Sequence, residues 1–309
     1  MTRDTIYSLA ASPGCAEDGV CFAARRSGLY RSTDHGETWD LAYRALNLDA
    51  DLATLAVAVS PAFSADETVL AGVPGGVLRS QDTGKNWQVA TFPPPEPTVS
   101  CLAISPDYRK DGTVLAGTLE DGVFRSGDHG RRWDTWNFGL LDLSVLALGI
   151  SPAYEDDETV FAGTDSGVFR STNGGRAWRE ADFDGGFARV LTIAVSEGFA
   201  TDRCLFAGTE ERGLFRSDDA GRTWSQVGSD VLDGPINDLV LSPDFPMDGS
   251  LLALLSGAVM VSRDGGETWS QWPLEVDSDD VLTCIEAPEG LETGDCLLIG
   301  RAEGGVLVA

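Results

Sequence analysis

Lysine is nearly missing from this 309-residue chain: Lys85 and Lys110 are the only two, and His35 and His129 are the only histidines. With so few histidines and no Cys-x-x-Cys pair, a zinc site is not expected. No EF-hand-type spacing of acidic residues occurs either, so no metal or other cofactor is expected. No apolar run reaches the roughly 18 residues that a membrane-spanning helix needs, and no membrane partner is expected. Residues 1–13 lack a basic segment feeding an apolar stretch, so the expected location is cytoplasmic. Helical periodicity of useful length is absent throughout.

Acid is what the chain has in excess. Asp and Glu number 49 against 22 Lys and Arg, a formal net charge of −27. Such a field repels phosphate backbones and argues against a nucleic-acid partner. It suits a basic protein surface or a cation, or it serves solubility alone. Six cysteines are present. Cys21, Cys101, Cys204, Cys284 and Cys296 fall in apolar strand-like runs, where the residue acts as a small hydrophobe. Cys15 and Cys21 are spaced to bridge one hairpin in an oxidising compartment, but reduced thiols are the expected state.

A repeat governs the sequence. The motif Ser-x-Asp-x-Gly-x-x-Trp appears as Ser32-Thr-Asp34-His-Gly36-Glu-Thr-Trp39 and recurs with its acidic residue at Asp82, Asp128, Asp219 and Asp264. One further copy carries Asn173 instead. The tryptophans are Trp39, Trp87, Trp133, Trp178, Trp224 and Trp269, a period of 45 to 48 residues. Each unit holds four short strand candidates punctuated by Gly, Pro, Asn and Asp. The first is nearly all apolar, as in Val145–Ile150, which marks a strand covered on both faces.

Stacked four-stranded sheets in a ring satisfy that pattern, because no unit can bury both faces alone. The expectation is an all-β, seven-bladed β-propeller of antiparallel blades filling residues 1–309 as one domain. The blades fall near 5–50, 52–97, 99–143, 145–188, 190–233, 236–280 and 281–309. Asp18, Asp66, Asp111, Asp157, Asp202, Asp248 and Asp295 mark one place between strands one and two of each unit. The seventh unit runs out where an Asp box would begin, so its blade should be incomplete. Its gap is filled by a strand from the N-terminal segment, or the ring closes without exchange. Six blades plus a cap is the alternative.

The motif has a structural task. Its Asp can accept N–H groups of its own turn, its Gly supplies a backbone conformation that a Cβ disfavours, and its Trp buries a large ring between blades. Asn173 keeps the accepting oxygen. These units resemble the Asp-box, or BNR, repeats of the sialidase superfamily, which are similar to those of sortilin-type receptor domains, xyloglucanases and photosystem II assembly factor propellers. The resemblance implies that the boxes lie at the periphery, away from a binding face, and it is nearly silent on activity.

The enzyme readings that the resemblance raises fit poorly. A sialidase-like site needs three converging arginines. Arg31, Arg79, Arg125, Arg170 and Arg216 hold one repeat position, which leaves chiefly Arg25, Arg26, Arg44, Arg189, Arg212 and Arg301. A xyloglucanase-like cleft needs two propellers. Trp136 and Trp272 stand outside the repeated position and suit either sugar stacking or packing at a strand end. No catalytic residue is assigned.

The acidic loops remain. Glu120, Asp121, Asp165, Asp184, Glu210, Glu211, Asp233, Asp277, Asp279 and Asp280 lie in turns between strands two and three or in connectors between blades, which share one face of a propeller. The stiff Pro93–Pro97 segment joins them. The expected function is a non-catalytic scaffold presenting this acidic face to a basic protein or peptide. The alternative is a carbohydrate-binding or glycoside hydrolase protein. Two carboxylates with aromatics in a central depression would favour the enzyme, and an open acidic face the scaffold.

Overall fold

The computed structural model describes residues 3–94, 96–183, 186–277, 280–292 and 294–309. Seven small antiparallel sheets form a ring, one from each repeat, so the chain is a seven-bladed propeller. Blade one runs outward from the axis as Ile6–Ala11, Val20–Arg25, Gly28–Thr33 and Asp40–Leu41. Blade five gains a fifth strand: Asp182–Phe183, from the connector before it, pairs in parallel with its outer strand Thr223–Val227. Blade seven has three strands, Leu282–Glu286, Leu298–Arg301 and Val306–Val308.

The inner strands carry the regularity that matters for the site. In six blades the first strand slips register around its second residue, for example between Ile236 and Asp238. A bulge of this kind leaves one residue unpaired and re-aims its side chain. The residues so left are Tyr7, Ser100, Leu146, Leu191, Asn237 and Thr283, all in the lining of the axis, and Ser100 and Asn237 reach the next blade, donating to Val145 O and Leu282 O.

Between strands one and two stands a single helical turn, which the sequence pattern is too short to announce. Five of the six turns begin on a buried aromatic residue (Phe63, Tyr108, Tyr154, Phe199 or Phe245), and the first begins on Cys15. Each ends on the recurring Asp. Asp66, for example, accepts the Ser60 hydroxyl at 2.7 Å and the Thr68 N–H at 2.9 Å. Asp295 departs from this pattern: it accepts the N–H of Glu292, three residues before it.

Five of the seven blades meet the next through glycine, with Ala24 and Leu254 at the same register in blades one and six. A Cβ at Gly72, Gly117, Gly163 or Gly208 would come within about 2.7 Å of the first inner-strand residue of the next blade (Val99, Val145, Val190 or Ile236). Gly300 stands in the same relation to Ile6, 2.8 Å from its Cγ2. Blade seven therefore joins blade one by the joint used elsewhere, and the N-terminal strand stays in blade one. The ring closes without strand exchange. The seam also holds an Arg3–Glu303 ion pair at 2.6 Å and a hydrogen bond from Thr5 to the Ala302 carbonyl at 2.9 Å.

Candidate functional site

The propeller offers two faces and an axis. One face carries the Asp boxes and the helical turns. In the first box, Ser32 Oγ donates to Asp34 Oδ1 at 2.7 Å and accepts the Gly36 N–H at 2.9 Å. Asp34 then accepts the N–H and the hydroxyl of Thr38 at 2.9 and 2.6 Å. Those hydroxyl and N–H donors, Ser32 and Thr38 foremost, hold the Asp34 carboxyl down at about 2. Thr268 and Ser262 do the same for Asp264, also at about 2. Asn173 keeps the pattern, accepting the Ser171 hydroxyl and the Ala177 N–H through its carbonyl oxygen. The Gly of each box has positive φ, and so does the residue before it: His35, Thr83, His129 and Ala220 lie near φ +60.

The box tryptophans lie against the preceding blade. Trp87 Nε1 donates to Ala42 O at 3.1 Å, and Trp178 Nε1 to Trp136 O at 2.7 Å. Trp39 and Trp269 donate to their own box glycines. Phe92 stacks on Trp133 at 5.0 Å and Phe183 on Trp224 at 5.4 Å, and both of these indole N–H groups are buried without an acceptor among the described residues. The boxes are turn and packing devices.

The extra tryptophans are packed too. Trp272 is buried, and Trp136 lies between the guanidinium groups of Arg125 (4.5 Å) and Arg176 (5.1 Å). Cys15 and Cys21 are free buried thiols with sulfurs 3.2 Å apart, and burial pushes both upward.

The opposite face is built from the turns between strands two and three and from the connectors. Backbone bonds tie the two sets together: Gly122 N to Leu143 O, Glu210 N to Arg189 O, and Leu282 N to Ser256 O. Glu120 and Asp121 lie in the turn of blade three, Asp165 in that of blade four, and Glu210 and Glu211 in that of blade five. Asp233, Asp277 and Asp280 lie in connectors; Asp184 and Asp279 fall outside the described residues. Some of this charge is already countered. Arg189 pairs with Asp165 at 2.8 Å and Glu210 at 3.2 Å, and Arg301 pairs with Asp280 at 3.3 Å. Of the proline segment, Pro93 and Pro94 are exposed and Pro97 is buried, its carbonyl taken by Gly75 N; Pro95 is outside the described residues.

Apolar exposure gathers on this loop face. Among the described residues, twelve large hydrophobic side chains are exposed. Eight belong to its turns, connectors and channel mouth: Tyr7, Leu48, Leu119, Leu141, Leu143, Phe187, Val231 and Val281. Of the other four, Phe138 lies beside the box tryptophan of blade four, its carbonyl accepting the Trp178 N–H, Met247 lies on the Asp-box side, and Val89 and Val308 lie on outer strands. Sequence reasoning singled out the acid and passed over these apolar companions. The signal was available, since the connector around Leu141 also holds Trp136, Phe138, Leu140 and Leu143, an apolar run outside the repeated strands.

The axis is a central channel of about 470 Å³ lined by the inner strands. Among the described residues its lining contains no arginine, lysine or histidine, but it holds Glu197, Asp238 and Glu286. Asp238 accepts the N–H of Leu239 at 2.9 Å and of Ile285 at 3.0 Å, and the Thr192 hydroxyl at 3.2 Å. It thus ties blades five, six and seven. Glu286 accepts the Ala11 N–H and so reaches blade one. Both line the channel but lie deep in the ring. Burial raises Asp238 to about 6; burial, then the nearby Asp238 charge, raises Glu286 to about 7.

Aligning the repeats would have found them. Asp238 replaces Ser8, Ala56, Cys101, Ala147, Thr192 and Cys284; Glu286 replaces Ala10, Ala58, Ala103, Gly149, Ala194 and Val240. Tyr7 is the only aromatic among the described lining residues.

The candidate arginines do not converge. Arg25 lies over Tyr30 at 4.3 Å, Arg44 pairs with Asp40, Arg212 donates to Gly186 O, and Arg189 and Arg301 are in the ion pairs above.

Comparison with known proteins agrees with the repeat and the ring. The BNR/Asp-box repeat family matches residues 30–41 and 260–271. No curated protein matches the sequence. Among solved structures, the extracellular domain of the putative one component system BT4673 from B. thetaiotaomicron superposes with a TM-score of 0.71 at 15% identity, over 99% of this chain and 38% of that one. YCF48 bound to D1 peptide superposes with a TM-score of 0.71 at 19% identity, over 99% and 92%. The GH74 enzyme of Niastella koreensis gives 0.75 at 14% identity, over 98% and 52%. The chain thus spans little more than a third of the first of these structures. At these identities the likeness is one of fold.

Proposed function

We propose that this propeller is a non-catalytic scaffold that receives a basic protein or peptide segment on its loop face. The observation that carries the reading is the coincidence of exposed carboxylates and exposed apolar side chains on that one face, while the opposite face is occupied by turn chemistry. A rigid ring makes such a surface preorganised, so a partner is bound without the cost of ordering loops. That YCF48, of the same fold, is seen with a peptide is consistent with this use of the ring.

The test is affinity capture from the native cell lysate, with mass spectrometry at low and high salt. The comparison protein carries Glu120→Lys, Asp121→Lys, Glu211→Lys, Asp233→Lys and Asp277→Lys, which leaves the Arg189 and Arg301 pairs intact. A partner lost both to the variant and to high salt supports the reading. A partner indifferent to these charges contradicts it.

A second reading has one observation behind it. Asp238 and Glu286 are two carboxyls in a central depression, both raised by burial in the direction a general acid needs. Against it, Asp238 is engaged with two backbone N–H groups, and a single tyrosine supplies the aromatic surface of the described lining. Hydrolysis in a glycan screen that is abolished by Glu286→Gln would favour this reading over the scaffold.

A further inference from the structure

Resting on the scaffold reading, we infer the pattern of the partner segment: it is amphipathic, with a large apolar centre between two basic ends, and it lies across blades three to five. Leu141 is 79% exposed and Phe187 77%. A lone exposed leucine is ordinary surface. Two side chains of this size, flanking one turn on pinned connectors, are not.

The pinning is explicit. Next to Leu141, Asp142 accepts the Ser166 N–H at 2.8 Å and Leu143 O accepts the Gly122 N–H at 2.9 Å. That connector is held between the turns of blades three and four. On the other side of blade four, Arg189 bridges Asp165 and Glu210, and Arg212 donates to Gly186 O at 3.0 Å. Phe187 is thereby held between the turns of blades four and five. The Asp165–Ser166 turn is gripped from both sides, with Leu141 and Phe187 flanking it.

Charge follows the same order. In the middle, a single guanidinium, Arg189, pairs with both Asp165 and Glu210, so their charge is partly countered. At the blade-three end Glu120 and Asp121, and at the blade-five end Glu211, are in no ion pair among the described residues. Carboxylates in no ion pair therefore stand at both ends of a centre that carries the apolar side chains and whose charge is partly countered by Arg189, with Asp142 tied to the Ser144 and Ser166 N–H groups. Its complement is positive, apolar, positive.

Three 15-residue peptides test this by fluorescence anisotropy. One has lysine ends and a leucine and phenylalanine centre; the second has lysine ends and a serine centre; the third has glutamate ends and the apolar centre. The first should bind at least tenfold more tightly than the second, and the third should not bind. Leu141→Ser with Phe187→Ser should remove the tenfold preference. Val89→Ser with Met247→Ser, comparably exposed elsewhere, should leave it unchanged. Glu120→Lys, Asp121→Lys and Glu211→Lys together should weaken both lysine peptides.

Equal binding of the two lysine peptides, unaffected by the Leu141 and Phe187 changes, overturns this inference and leaves the scaffold standing. Failure of both to bind overturns the two together. Because the peptides vary as well as the protein, the comparison stays decisive even where one variant fails to fold.

Discussion

At the scale of single residues, carboxylates with opposite environments divide the labour of the ring. Asp34 and Asp264 are stabilised as anions by turn donors and held at about 2. A carboxyl lowered on folding contributes stability above its ordinary value near 4, and loses it as pH falls toward the folded value. Changing both to Asn, the residue that stands at 173, should flatten the fall in stability between about pH 4 and pH 2. Urea unfolding across that range checks it; an unchanged slope contradicts the assigned role. Glu286 is the reverse case. Its carboxyl is raised to about 7, so the native state favours the protonated form, and stability declines as pH rises from about 4.5 through 7. Glu286→Gln keeps an oxygen for the Ala11 N–H and removes that charge. It should be more stable than the parent at pH 8, by on the order of 1–3 kcal/mol, and nearly equal at pH 4. A variant that declines with pH as steeply as the parent would show that the decline comes from another group.

At the scale of the element, the blade was legible because its punctuation is local. Ser32, Asp34, Gly36 and Trp39 close one turn by bonds no more than four residues apart. The one-turn helices were not legible, since four residues show no period. Nor was the parallel pairing of Asp182 with Thr223, because it joins two repeats that each look complete. The glycine joint between blades allows a direct comparison. Gly163→Ala drives a methyl into Val190 and should cost about 1–3 kcal/mol of overpacking. Gly300→Ala, against Ile6, should cost the same if the seam is a joint like the rest. A change within about 0.5 kcal/mol, as at an ordinary surface position, would mean that the ring is loose where the chain's two ends meet.

At the scale of the whole molecule, a ring with seven near-equal units places function where the units differ. The sequence pattern showed the ring and the acid, because both repeat or accumulate. The channel carboxyls Asp238 and Glu286 each break the pattern once and stand out only when the inner strands are aligned position by position, whereas how Arg189 redistributes charge stayed hidden, since that pairing joins separate blades. What matters most is whether the loop face, and not the Asp-box face or the channel, receives a basic segment. Hydrogen–deuterium exchange with the lysine-ended apolar peptide at saturation answers this. Exchange should slow in residues 119–122, 165–167 and 210–213, with the Asp-box turns unchanged. Protection confined to the box turns, or to the channel strand 236–241, would contradict the assignment of the loop face.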